Sequence, residues 1–142
     1  MIDIQSGTLH LKLTPYERIP EPEEAAYDRI MVWVEFSVPS LKTEFRAEFA
    51  AGQLEIFRDD LKKLHQSLIF QQKNSDVVLS CLFKQVELTF IQSDSGNAVG
   101  VNMVLRPEDH ADSVMLTDFF GLDESYFPAI LFGLDEIINW ST

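Results

Sequence analysis

The chain has one cysteine in 142 residues, Cys81, so no internal disulfide can close and no cysteine cage for a metal can assemble. Set inside "VVLSCLF", that thiol reads as a small buried hydrophobe. Cations are scarce as well: 11 lysines and arginines stand against 23 acids, a net charge of −12, and none follows Arg106. No run of about 18 or more apolar residues occurs, which argues against a membrane-crossing helix. The start "MIDIQSGTLHLKL" lacks the basic residues and apolar block of a signal peptide, so the chain is expected in the cytosol. Catalytic and cofactor signatures are missing too, with no G-x-S-x-G elbow, no H-E-x-x-H and no glycine-rich phosphate loop.

The charge that is present is uneven. Glu108, Asp109, Asp112, Asp118, Asp123, Glu124, Asp135 and Glu136 place 8 of the 12 net negative charges in the last 36 residues. A phosphate backbone would be repelled, so direct nucleic-acid binding is disfavoured. A basic protein partner would be steered in and oriented. Solubility alone is the plainer purpose of such a charge.

At 46% apolar, the length suits one hydrophobic core and one domain over residues 1–142. The opening residues alternate around Ser6 and Gly7, with Leu9, Leu11 and Leu13 on one side, and predict a short hairpin that Pro15 ends. "PYERIPEPEEAAYD", from Pro15 to Asp28, reads as an exposed acidic loop. "RIMVWVEFSV" then alternates, with Ile30, Val32, Val34, Phe36 and Val38 on one face and Met31, Trp33, Glu35 and Ser37 on the other. Pro39 and Ser40 make a turn, and "LKTEFRAEFA" returns. A two-residue turn places positions summing to 79 opposite one another, so Val34 meets Phe45 and Ile30 meets Phe49, and the apolar faces agree.

Gly52 is read as the stop of that strand. Leu54, Phe57, Leu61, Leu64 and Leu68 follow at helical spacing over about four turns. "VVLSCLF", "VELTFIQ", "AVGVNMVLR" and "SVMLTDFF" are four more strand candidates. "DESYFPAILFGLDEIINW" carries a closing helix that must begin near Ser125 for Pro128 to fall in its first turn. The fold class that follows is α+β, a mainly antiparallel sheet of about six to eight strands with two helices packed on one face.

The same register sets Trp33 opposite Arg46, Glu35 opposite Glu44 and Met31 opposite Glu48. Trp33 and Arg46 are placed for a cation–π pair, and both residue types are enriched at binding hot spots. Trp33 either lies under the loop from Pro15 to Asp28 or meets a partner. Glu35 and Glu44 would act as an acid–base pair only in a dry cleft. The face of Trp33, Glu35, Glu44, Arg46 and Glu48 therefore suits contact better than catalysis. His10, His65 and His110 are isolated in sequence. Grouping His110 with Asp109 and Asp112 would offer oxygen to a hard cation, but "PEDHAD" lacks the glycine and spacing of a calcium loop, so no metal site is expected. Ser80, beside Cys81 in an apolar strand, is poorly placed as a nucleophile.

The order of these elements resembles the WapI-type immunity proteins of bacteria. The likeness rests on "LKTEFRAEFAAGQLEIFRDDLKKL", a charged strand leading into a leucine-spaced helix, on the hairpin "VELTFIQSDSGNAVGVNMVLRP", and on "FGLDESYFPAILFGLDEII". It covers most of the chain from Arg29 onward. The resemblance implies a small cytosolic protein that binds and blocks a toxin without catalysis. In the type case the toxin is contact-dependent, with a nuclease tip that cuts transfer RNA. A basic toxin domain is then the expected partner. Two rival readings stand beside it: a self-associating protein using Trp33, Ile91 and Val104 as a homodimer patch, and a hydrolase using acidic groups such as Glu44.

Overall fold

The computed structural model describes residues 1–108 and 110–141. The elements run β1 (Ile2–Ser6), β2 (Leu9–Ile19), β3 (Arg29–Val38), β4 (Leu41–Ala50), α1 (Ala51–Phe70), β5 (Val77–Ser80), β6 (Val86–Gln92), β7 (Ala98–Leu105), β8 (Leu116–Asp123) and α2 (Phe127–Ile138). Short 3₁₀ turns at Ala25–Tyr27 and Glu124–Tyr126 precede β3 and α2. The class is α+β and the strands are antiparallel, divided into two four-stranded sheets in the orders β1-β2-β3-β4 and β5-β6-β7-β8. The division follows from α1. It starts on the residue after β4, and its 20 residues span about 30 Å before the chain turns into strand again.

The inner faces of both sheets share one hydrophobic cluster with both helices. α1 buries Leu54, Phe57, Leu61, Leu64 and Leu68, and the Phe57 ring meets Phe90 of β6 at 5.6 Å. α2 buries Phe127, Ile130, Leu134, Ile137 and Ile138. The helices touch each other, with α1 also against β5 and α2 against β1. Gly133 makes the last contact close, because a Cβ there would stand 2.1 Å from the Met1 carbonyl oxygen.

The register of β3 and β4 is the one that alternation and the two-residue turn require, with every pair from Val38↔Leu41 to Arg29↔Ala50 summing to 79. Elsewhere the structure departs from the sequence reading. Pro15 does not end β2, which runs on to Ile19. A bulge sets Pro15 opposite Val32 and Glu17 opposite Met31, leaving Tyr16 as the extra residue. β1 pairs only as far as Leu13, so proline's missing N–H falls where no neighbouring strand would use it. More than half of the expected acidic loop is thus strand or 3₁₀ turn. Gly52 is not a stop either. It lies in the first turn of α1, where the Ala26 carbonyl oxygen comes within 3.0 Å of where a Cβ would be. β5 stops at Ser80 because the Cys81 Sγ turns back to accept the amides of Gln85 and Val86. β8 begins at Leu116 rather than Ser113, since Leu116 pairs with Leu105, the last residue of β7.

One polar node ties these parts together. Asp28 is only 6% exposed, a carboxylate in a mainly apolar interior. Its carboxylate accepts the Glu21 amide at 2.6 Å and Arg18 Nε at 2.9 Å, while its carbonyl accepts the amide of Ala51, the first residue of α1, at 2.9 Å. Arg18 Nη1 also donates to the carbonyls of Ile138 (2.6 Å) and Trp140 (3.1 Å) at the end of α2, where a cation is favoured by the helix dipole. The Glu21 amide, together with Arg18, holds the Asp28 pKa below the usual carboxylate range against the opposing push of burial.

Two outcomes are expected. Gly133→Ala gains about 1 kcal/mol of helix propensity but overlaps fixed backbone, which costs about 1–3 kcal/mol or more; thermal unfolding should therefore show a lower Tm, and a raised one would mean that β1 is free to shift. Because the folded pKa of Asp28 is depressed, the folded chain binds fewer protons than the unfolded one between the two pKa values. Its contribution is present above the unfolded value, about 3.9, and is lost as pH falls through the folded one. Urea unfolding followed as pH falls should show that acid limb flattened in Asp28→Asn.

Candidate functional site

The outer face of β3 and β4 carries the side chains that alternation turns away from the core. Met31, Trp33, Glu35 and Glu48 are half-buried, and Glu44 and Arg46 are exposed. Trp33 stands between Thr14 of β2 and Arg46 of β4. With Tyr16, the bulged residue, Trp33 and Arg46 line a hollow of about 250 Å³. The flank of Trp33 is therefore the continuation of β2, not a covering loop. The expected cation–π pair is not formed: the ring contacts among the described residues are Phe57 with Phe90 and His65 with Phe127. Nor does Arg46 make a hydrogen bond or ion pair with another described residue.

A groove of about 570 Å³ opens beside this face. The first sheet lines it with Met31, Trp33, Arg46 and Glu48, and the second sheet's connections line it with Phe83, Pro107, Glu108 and His110. Cys81 and Arg106 hold that second wall in place. The buried thiol, its pKa raised by desolvation, anchors the turn through two amides. Arg106 binds Glu87 Oε2 (3.0 Å) and the Lys84 carbonyl (2.9 Å), and its amide donates to the Gln85 carbonyl. Lys84 adopts φ 57°, which turns the chain and leaves Phe83 59% exposed.

Of the five residues singled out from sequence, the groove gathers Trp33, Arg46 and Glu48. Glu35 lines a separate hollow of about 250 Å³ with His10, Lys12 and Lys42. Glu44 faces Glu35 as expected, but it is exposed and bound to Lys42 Nζ at 3.4 Å. The dry cleft that an acid–base pair needs is not formed around it. Glu48 pairs with Arg29 at 3.3 Å. Phe83 and Pro107 were missed, while Glu108 was read only as part of the acidic run and His110 only as a rejected metal ligand. Only the apolar pair in "CLFKQ" hinted at an exposed phenylalanine, and the rule that apolar runs are buried hid it.

A family profile, that of the immunity protein WapI-like family, matches residues 1–141. The chain belongs to this WapI-like family. No curated protein matches it significantly. Among solved structures it is similar to the crystal structure of WHY3 from Arabidopsis thaliana, at 11% identity and a TM-score of 0.48, covering 96% of this chain and 84% of that one. It is also similar to the plant transcriptional regulator PBF-2, at 11% identity and a TM-score of 0.47, covering 96% and 78%. Likenesses of this size say nothing about what the WapI-like chain binds.

Most of the acids in the final third of this WapI-like chain have partners inside it. Glu108 pairs with His110, Glu124 with His65 at 2.9 Å, Asp135 with Arg58 at 3.2 Å and Glu136 with the N-terminal amine at 3.2 Å. Asp118 accepts the Phe119 amide, and Asp123 accepts the amide and hydroxyl of Ser125 at the start of the last 3₁₀ turn. Asp109 lies outside the described residues, and with it the grouping of His110, Asp109 and Asp112. No cluster of three metal-ligating side chains forms among the described residues, and no helix among them is long and apolar enough to cross a membrane. Trp33 belongs to the first sheet, while Ile91 and Val104 lie on the outer face of the second.

Proposed function

We propose that this chain acts as a single cytosolic domain that neutralises a bacterial toxin by binding it directly, without catalysis and without contacting nucleic acid. The observation that carries this reading is the groove joining both sheets, which combines an indole, an exposed phenylalanine and a guanidinium with no ion-pair partner among the described residues, within a family of immunity proteins. Large aromatic side chains beside arginine supply the contact energy at such surfaces. The remaining acidity orients a basic partner. The toxin we favour is a basic domain of contact-dependent type, a nuclease acting on transfer RNA, whose cationic RNA-docking surface would be drawn to a chain of net charge −12.

A second reading, a homodimer, draws support from one observation. The Phe119 ring is 62% exposed and packs over Gly100, where a Cβ would stand 2.3 Å from it. With Ile91 and Val104 it adds apolar area to an outer face that also carries Glu87, Thr89, Asn102 and Thr117. Light scattering across a concentration series separates the readings, because a concentration-independent monomer excludes the dimer.

The first reading is tested by titrating the chain with the toxin domain encoded beside its gene. A complex is expected at low salt, weakening as salt rises. Trp33→Ala should cost about 2 kcal/mol or more of binding, while far-ultraviolet circular dichroism stays unchanged. Absence of any complex at low salt would end the proposal.

A further inference from the structure

β4 is the outermost strand of the first sheet, and no other described strand pairs with its outer edge. Backbone N–H and C=O groups of an antiparallel strand point alternately toward and away from its partner. Three observations fix the phase in β4. The two-residue turn closes on Val38 and Leu41, which makes the odd-numbered residues of β4 the ones bonded to β3. The ladder continues on that phase, with the amide of Ala51 donating to the carbonyl of Asp28. The carbonyl of Glu48 points outward, since it accepts the amide of Leu82 at 2.9 Å from the turn after β5. Lys42, Glu44 and Arg46 therefore also present their main-chain groups to the outside, and no described backbone group takes them up. The groove touches β4 residues of both faces, Phe45 as well as Arg46, but only outer-face residues of β3, so it opens along this edge.

Edge strands guard against indiscriminate pairing with charged side chains. Here the charges alternate in sign, as Lys42, Glu44, Arg46 and Glu48. An incoming strand with the opposite alternation is favoured, and one of uniform sign is opposed at every second position. We infer that the free edge of β4 receives an extended segment of the protein partner, which continues the first sheet by main-chain hydrogen bonds to Glu44 and Arg46. In that segment a basic side chain lies beside Glu44, an acidic one beside Arg46, and an apolar one between them on the side of Phe45 and Phe83. This rests on the toxin-binding reading above and specifies how the toxin is held.

The test uses the full chain and the toxin domain encoded beside its gene. The nitrogen of Glu44 makes no bond to β3, so Glu44→Pro removes an outward donor and leaves the ladder whole, and Glu44→Ala removes the carboxylate alone. Calorimetry should show Glu44→Pro binding at least about tenfold more weakly than Glu44→Ala, the equivalent of one lost hydrogen bond. Hydrogen exchange on the wild-type chain, which does not depend on how the proline variant folds, should show the Glu44 and Arg46 amides becoming protected in the complex. A complex that forms with those amides unprotected overturns the inference and leaves toxin binding standing. Failure of any complex to form removes the toxin-binding reading and the inference with it. Protection of the same amides in the chain alone, rising with its concentration, would make the occupant a second copy and overturn the inference as stated.

Discussion

The pairing of Arg18 with Asp28 is the constraint on which the placement of the site depends. A carboxylate in an apolar interior is tolerated only when its oxygens are bonded. Those of Asp28 are bonded by Arg18 and the Glu21 amide. The same residue's carbonyl receives the first amide of α1, and the guanidinium reaches the last carbonyls of α2. One ion pair thus joins the far end of β2, the start of one helix and the end of the other. Because β4 passes into α1 without a loop, fixing the start of the helix also fixes the strand that carries Glu44, Arg46 and Glu48.

Much of this was legible in the sequence where the causes are local. The β3–β4 register followed from two alternating strands and a turn of two residues, and the wet face of Trp33, Glu35, Glu44, Arg46 and Glu48 followed with it. Other features depend on distant neighbours. Whether Pro15 breaks a strand depends on whether β1 still runs beside it. Whether Gly52 is a stop or a point of close approach depends on where Ala26 lies. The groove's second wall is illegible for the same reason: Phe83 and His110 are brought to Arg46 by the second sheet, and no spacing in the chain announces that meeting.

The distribution of charge shows how composition and structure answer different questions. Net charge describes the field felt at a distance. It does not say which groups are free at contact range. In the acidic final third, Glu124, Asp135 and Glu136 tie helices and the amino terminus together, whereas Arg46, one of the few basic residues, faces the groove with no ion-pair partner among the described residues. A partner approaching such a molecule is drawn by the first pattern and recognised by the second.

The seamless junction of Ala50 and Ala51 also governs how the chain can change length. One residue added there would turn α1 by about 100° and carry its leucine face out of the core, and one added within β4 would flip its comb inward. The second error could be taken up only as a bulge like the one at Tyr16. A segment such as 94–97, which lies outside every strand and helix, can change length without moving either face, so relatives that differ in length should still keep the distance from comb to helix unchanged.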